Sequence, residues 1–170
     1  TMKKGIVQVL CGEGSGKSAC AIGLAVKAAG SNQNIVIIQF LKGKNEESEM
    51  SRRLEPEIKV FSFEKSEKPF CQLSEEEKKE EASNMRNGVN FAKKVLSTRD
   101  CDVLILDEIL GLVDCGIIEA ADIARLLEAK DEDVDVIMTG IVFPEELNSC
   151  VDRVTRIDSR DIKNPETDAE

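Results

Sequence analysis

The sequence contains no histidine, tryptophan or tyrosine, and its only aromatic residues are six phenylalanines. Without histidine the chain lacks the most common general base and metal ligand, so any chemistry must depend on carboxylates, lysine and a metal ion. Clustered positive charge is also missing, because no lysine or arginine cluster is larger than a pair and the formal net charge is −10. We therefore expect no nucleic-acid partner, since nucleic-acid motors need a basic surface.

Long apolar runs are missing as well. No run approaches the roughly 20 residues that cross a bilayer, and no basic-then-apolar leader precedes the first strand. We expect a cytoplasmic protein with no membrane partner. The six cysteines include no C-x-x-C pair, which favours free thiols over a zinc or iron–sulfur site. The 170 residues predict a single domain over 1–170, with a frayed acidic tail over 158–170.

A glycine-rich stretch near the start of the chain carries the strongest functional signal. The apolar run Ile6–Leu10 leads into Cys11-Gly12-Glu13-Gly14-Ser15-Gly16-Lys17-Ser18, and an alanine-rich helical segment follows. Glycines let consecutive backbone N–H groups surround an anion, and the helix start adds partial positive charge. Lys17 would supply a charge to the outer phosphates and Ser18 a ligand for Mg²⁺. The sequence therefore predicts a nucleoside triphosphate site, in a variant P-loop that has Cys11 in place of the first glycine.

Six short apolar runs predict strands, and most are unbroken, as expected for strands buried on both faces. They are Ile6–Leu10, Ile35–Leu41, Ile58–Phe63, Val103–Leu106, Val134–Met138 and Val151–Ile157. Helical patterns cover Lys17–Gly30, a segment from Ser74 through Leu96 that opens with a Ser74–Glu77 capping box, Glu119–Ala129, and a short stretch after Pro144. This alternation predicts an α/β fold: a three-layer α/β/α, P-loop NTPase-like (RecA-like) domain whose mostly parallel sheet has about six strands.

A second part of the site is predicted where an apolar strand ends in Asp107 and Glu108. In a nucleotide-binding sheet such a strand ends beside the phosphate loop. Mg²⁺ prefers oxygen ligands and keeps several waters, so Ser18, the phosphates and one carboxylate are enough. Either Asp107 or Glu108 could be that carboxylate. The ordinary alternative is a strand that ends in two solvent-facing acids.

Two other strands end in small or polar residues that we expect to contact the nucleotide. They are Gln39 and Lys42 after one strand, and Thr139 and Gly140 after another. Ligands of open α/β sheets bind outside the carboxyl ends of the strands, which favours a binding role. For Thr139 and Gly140, simple strand-exit and turn chemistry is an equally good explanation.

Together these motifs resemble the P-loop ATP:corrinoid adenosyltransferases, which act on cob(I)alamin or cob(I)yrinic acid a,c-diamide. That family spells its phosphate loop G-x-G-x-G-K-[ST], so Cys11 is expected. It follows the next strand with Q-F-x-K-G, matched by Gln39-Phe40-Leu41-Lys42-Gly43, and its acidic strand reads L-D-E, matched by Leu106-Asp107-Glu108. Thr139-Gly140 and Asp152-Arg153-Val154-Thr155 also have counterparts. The likeness covers roughly residues 5–165.

The resemblance implies ATP and a reduced corrinoid as substrates and Mg²⁺ as cofactor. Co(I) attacks the 5′ carbon of ATP and expels triphosphate, so the protein itself needs no nucleophile. Lys17 and Glu108 would be the catalytic residues that stabilise the leaving group. Phe40, and Phe70 within the loop Glu64–Leu73, would form the apolar wall against the corrin. A flavoprotein reductant and a homodimer are further partners that this interpretation leaves open.

Two other functions also remain open. A nucleoside kinase-like phosphotransferase could use Glu108 as its base, although no zinc ribbon or arginine-rich lid is evident. A non-catalytic ATP-binding module that has lost its corrinoid side is favoured by the short tail and by the few aromatic residues. The chain also departs from the family pattern at Ile141, where the family usually has arginine.

Overall fold

The structure is a computed structural model that describes residues 3–43 and 52–163. Its strands are β1 (Val7–Cys11), β2 (Ile35–Gln39), β3 (Ile58–Ser62), β4 (Val103–Asp107), β5 (Asp135–Thr139) and β6 (Arg153–Arg156). Its helices are α1 (Lys17–Ala29), α2 (Glu75–Thr98), α3 (Ile109–Asp114) and α4 (Ala120–Glu128), with 3₁₀ turns at Phe70–Gln72 and Glu145–Leu147. The strands form one sheet in the order β3-β2-β4-β5-β1-β6, and every pair is parallel.

All six predicted strands are confirmed, with ends that differ from the predicted ones by at most two residues. The predicted capping box is also present, since the Ser74 hydroxyl accepts the Glu77 N–H at 3.2 Å and the Glu77 carboxylate accepts the Ser74 N–H at 2.8 Å. The short stretch after Pro144 forms a 3₁₀ turn rather than an α-helix. Helix α3 was not predicted from the sequence.

Helices cover both faces of the sheet, which gives the predicted three layers. Alternate strand residues point to opposite faces. Val36 and Ile38 accordingly join the larger core under α2, α3 and α4. Ile35 and Ile37 join the smaller core under α1. All five residues of β2, and all five of β4, are buried, which explains their unbroken apolar sequence.

Strand order places the candidate site at the carboxyl edge of the sheet. β4 lies between β2 and β5, so Asp107 at its end pairs in register with Gln39 of β2. β1, which leads into the glycine-rich loop, lies between β5 and β6. The loops after β1, β2, β4 and β5 therefore meet at one edge, as in other parallel α/β sheets that bind ligands there.

Candidate nucleotide site

The glycine-rich loop runs from the end of β1 to the start of α1, and its geometry requires glycine. Gly12 and Gly16 have φ values of +114° and +100°, which other residues rarely adopt. A Cβ atom would lie 2.4 Å from the Ile157 carbonyl oxygen at Gly12 and 2.6 Å from it at Gly14. The three glycines therefore allow both the turn itself and a close approach of neighbouring backbone.

Lys17 is held inside this loop. Its Nζ donates hydrogen bonds to the carbonyl oxygens of Gly12 at 2.7 Å and Gly14 at 2.9 Å, and the residue is only 9% exposed. Both partners are neutral carbonyls, so the ammonium charge is hydrogen-bonded without being neutralised. The arrangement leaves a positioned cation at the start of α1, where the helix also contributes partial positive charge.

Asp107 is the centre of a buried polar network. Its Oδ1 accepts hydrogen bonds from the hydroxyl of Ser18 at 2.9 Å and of Thr139 at 2.7 Å. Lys42 Nζ lies 2.5 Å from the other oxygen, Oδ2. Asp107 is 2% exposed, so its charge depends on these partners for compensation. The carboxylate thus joins the starts or ends of four separate elements: α1, β2, β4 and β5.

Glu108 has a different environment, although it is the next residue. Its backbone is left-handed, with φ of +63°, and its N–H donates to the Thr139 hydroxyl at 2.8 Å. The side chain is half-buried, and no residue within 3–43 or 52–163 donates a hydrogen bond to its carboxylate. Burial, and next the charge of Asp107, raise the pKa of this carboxyl, while Lys17 and Lys42 act in the opposite direction. A cation added beside Glu108 would therefore favour its charged form and oppose the effect of burial.

The structure brings most of the predicted nucleotide residues together but changes the role of two. Thr139 is fully buried, and its hydroxyl bonds to Asp107 and to the Glu108 N–H, so it orients the acids instead of facing a ligand. At Gly140 a Cβ would lie 2.4 Å from Leu110 Cβ, so packing against α3 explains this glycine. The predicted nucleotide contacts of Thr139 and Gly140 are not supported. Gln39 lies beside Asp107 and is 8% exposed.

One of the two predicted corrinoid residues is wrong. Phe40 is 1% exposed, and its ring packs so tightly under α2 that a Cβ at Gly88 would lie 2.9 Å from it. It belongs to the core and cannot form a wall for a ligand. Phe70 is partly exposed in the 3₁₀ turn that precedes α2, with Lys78 Nζ 5.9 Å from the ring centroid. It remains a candidate contact.

A contact that the sequence did not predict involves the segment after β6. The Ile157 carbonyl accepts the Gly14 N–H at 3.0 Å, and the Ser159 hydroxyl accepts the Ser15 N–H at 3.0 Å. Two amides that we expected to bind phosphate are therefore already paired within the chain. The start of the tail that we expected to fray lies against the phosphate loop, and residues 164–170 lie outside the described part of the chain. The parallel pairing of β6 with β1 brings this segment beside the phosphate loop.

Comparison with known proteins identifies the family. The family model for the ATP:corrinoid adenosyltransferases BtuR/CobO/CobP matches residues 3–168. The chain belongs to this family. It is 25% identical to the corrinoid adenosyltransferase of Escherichia coli K12 and 26% identical to the corrinoid adenosyltransferase CobA of Salmonella typhimurium LT2. Each match covers 91% of this chain and 77% of the relative. The resemblance seen in the sequence motifs is confirmed.

Solved structures confirm the fold. A KaiC-like protein from Pyrococcus horikoshii OT3 superposes with a TM-score of 0.59 at 14% identity. The match covers 95% of this corrinoid adenosyltransferase family member and 76% of that chain. Within the described residues, none of the helices has the length and apolar character to cross a membrane.

Proposed function

We propose that this protein transfers the 5′-deoxyadenosyl group of ATP to Co(I) of a corrinoid and releases triphosphate. Cobalt donates an electron pair to form the Co–C5′ bond, and the C5′–O bond breaks with its electron pair leaving on triphosphate. The observation that carries the proposal is the buried network on Asp107, which joins Ser18 and Lys42 beside the glycine-rich loop. Since the chain belongs to the adenosyltransferase family, we assign this network the role of holding a triphosphate leaving group.

The triphosphate would bind to the loop amides and to Lys17. The amides at the start of α1 add the helix dipole to the charge of Lys17. Because Lys17 Nζ now bonds to two neutral carbonyl oxygens, exchange of these for anionic phosphate oxygens would pair opposite charges and give stronger bonds. The same groups would stabilise the charge that develops on the leaving group.

Mg²⁺ fits this site through hard oxygen donors. Residues 3–43 and 52–163 contain no group of three or more potential metal-ligating acids or cysteines, so phosphate oxygens and water would complete the coordination. Asp107 already accepts from three groups, whereas the Glu108 carboxylate accepts from none within the described chain. We therefore assign direct metal contact to Glu108 and Ser18, and to Asp107 the orientation of Ser18 and Lys42. When bound, Mg²⁺ would neutralise charge on the triphosphate.

The corrin would lie against apolar surface beside the loop. Ile141 and Val142 are 49% and 56% exposed, and the Ile141 carbonyl accepts the Gly12 N–H at 2.9 Å. This pair therefore borders the phosphate loop and takes the place that we first gave to Phe40. Phe70 is the aromatic candidate for corrin contact. Apolar walls exclude water from the reacting centre, which favours attack by Co(I).

Product analysis tests the proposed function. The protein is mixed with ATP, Mg²⁺ and chemically reduced corrinoid, and the Co(I) spectrum and the phosphate products are followed together. Loss of the Co(I) spectrum with equimolar triphosphate supports adenosyl transfer. Release of ADP would instead indicate a phosphotransferase, and ATP binding without either product would indicate a non-catalytic module. Lys17→Ala serves as the inactive control. Lys27→Ala, which removes a lysine from the far end of α1, is the matched variant that should keep activity.

A further inference from the structure

The turn that carries Lys42 has an unusual backbone. Leu41 and Gly43 have φ values of +62° and +67°, both in the left-handed region. A non-glycine residue in this region is strained and persists only where its surroundings hold it. Since Lys42 lies between these two residues, its direction toward Asp107 depends on whatever fixes the turn.

Glu64, from the neighbouring segment after β3, holds this turn. Its Oε2 accepts the Gly43 N–H at 2.6 Å, and the backbone of Leu41 and Lys42 acts with this bond to lower the pKa of the carboxyl. Consecutive N–H groups in such turns form a concave anion site. Here the anion is supplied by the chain itself.

The turn is also enclosed from two sides. A Cβ at Gly43 would lie 3.3 Å from the Ser66 carbonyl oxygen, and a Cβ at Gly111 of α3 would lie 2.6 Å from Leu41 Cδ1. The turn therefore fits between the segment after β3 and helix α3. A contiguous path runs from the Glu64 carboxylate through the backbone of 41–43 to Lys42 Nζ, 2.5 Å from Asp107.

Burial of the Glu64 carboxylate costs free energy, which argues against a role that is limited to stabilising the fold. Its Oε1 is buried and has no hydrogen-bond partner in the part of the chain that the structure describes. Burial raises the pKa of Glu64, and the nearby Glu81 carboxylate raises it further, against the opposing backbone hydrogen bonds. Glu81 is 5% exposed and accepts the Lys65 N–H and the Asn84 amide, each at 3.0 Å.

We propose that Glu64 is a positioning residue of the nucleotide site, which holds the turn 41–43 so that Lys42 points at Asp107 and the bound triphosphate. The inference rests on the proposed function, because it requires that Lys42 acts on ATP. Glu64 itself does not touch the substrate. Its effect on ATP must therefore pass entirely through Lys42.

A double-mutant cycle tests this path. ATP affinity is measured by calorimetric titration with Mg²⁺ for Glu64→Ala, Lys42→Ala and the double variant. We expect Lys42→Ala to weaken binding by about tenfold, as for loss of one charge-assisted bond, and Glu64→Ala by roughly fivefold. The double variant should match Lys42→Ala alone, because residues that act through one path are not additive. Glu64→Gln, which keeps an acceptor oxygen, should remain within about threefold of the original protein.

The outcomes separate the two proposals. Glu67→Ala is the control, since Glu67 lies in the same segment and is exposed, and it should leave affinity unchanged. If Lys42→Ala has no effect, the nucleotide role of Lys42 is wrong and the inference fails with it. If Lys42→Ala weakens binding while Glu64→Ala has no effect, or adds fully to it, only the inference is overturned. If Glu64→Ala does not fold, the same cycle with Glu64→Ser, whose side chain is too short to reach the turn, decides by its additivity.

Discussion

The phosphate-loop half of the site and the segment 64–73 on its other side differ in how they are held. In the first, Lys17 donates to two carbonyl oxygens of the loop, and the Ser18 and Thr139 hydroxyls donate to Asp107, so the groups are positioned before any ligand arrives. In the second, Glu64 keeps an unpaired buried oxygen and Phe70 is partly exposed. Preorganised groups stabilise charge at little reorganisation cost. ATP affinity should therefore depend mainly on the first region, to which Glu64 contributes only by holding Lys42, and corrinoid turnover should depend on Phe70 in the second.

The largest expected effect is on ATP binding by Lys17→Ala. The substitution removes the cation of the loop while the amides remain. We expect affinity to fall by at least about 2 kcal/mol, or roughly 30-fold, as for a hydrogen bond to a charged group. Calorimetric titration with ATP and Mg²⁺ measures it, with Lys27→Ala as the matched control. An unchanged dissociation constant would remove the basis for calling this region preorganised for phosphate.

A second experiment compares the two adjacent acids within the preorganised region. Glu108→Gln keeps the shape but removes the charge, and we expect it to raise the Mg²⁺ concentration needed for tight ATP binding by about tenfold, since one anionic ligand of a hard cation is lost. Asp107→Asn should change this requirement less and weaken ATP binding at saturating Mg²⁺, because Lys42 and Ser18 lose their common partner. The reverse order would assign the metal to Asp107. Wild-type metal dependence in both would make the acidic strand purely structural.

The third prediction concerns the other region. Phe70→Ala should leave ATP affinity unchanged and lower the rate of corrinoid adenosylation by roughly fivefold, since one apolar wall that excludes water is lost. Calorimetry and the decay of the Co(I) spectrum measure the two quantities on the same sample. Val26→Ala, which removes an exposed apolar side chain from α1, is the control. A parallel loss of ATP affinity would show that the two regions do not act separately.

The sequence predicts the strands well, because burial on both faces leaves a direct record in unbroken apolar runs such as β2 and β4. It does not predict the strand order, which depends on how helices pack. It also misses α3. That helix is six residues long and begins at the left-handed Glu108, and its residues Ile109, Leu110 and Leu112 are all buried. A helix this short and this apolar shows no 3.6-residue period.

In the site, too, features set by local sequence were predictable and features set by distant contacts were not. Gly12, Gly14 and Gly16 were predictable because only glycine tolerates the geometry that the loop requires. The burial of Phe40 was not, since it depends on Gly88 of a distant helix. The roles of Thr139 and Glu64 likewise depend on hydrogen bonds between segments far apart in the chain. Local sequence therefore predicts the backbone conformation of a site better than it predicts which residues the side chains contact.

The smallest expected effect tests whether the phosphate loop is free to bind. The Ser159 hydroxyl accepts the Ser15 N–H at 3.0 Å, so this amide must break one bond before it can reach a phosphate. Ser159→Ala should tighten ATP binding by about threefold. This change is near the low end of the net free energy that a single hydrogen bond contributes. The gain is limited because the Gly14 N–H keeps its bond to the Ile157 carbonyl, which no side-chain substitution removes. Ser149→Ala, another exposed serine, should have no effect in the same calorimetric titration. Weaker binding by Ser159→Ala would mean that the hydroxyl assists the nucleotide, and the segment after β6 would then belong to the preorganised region instead of competing with its ligand.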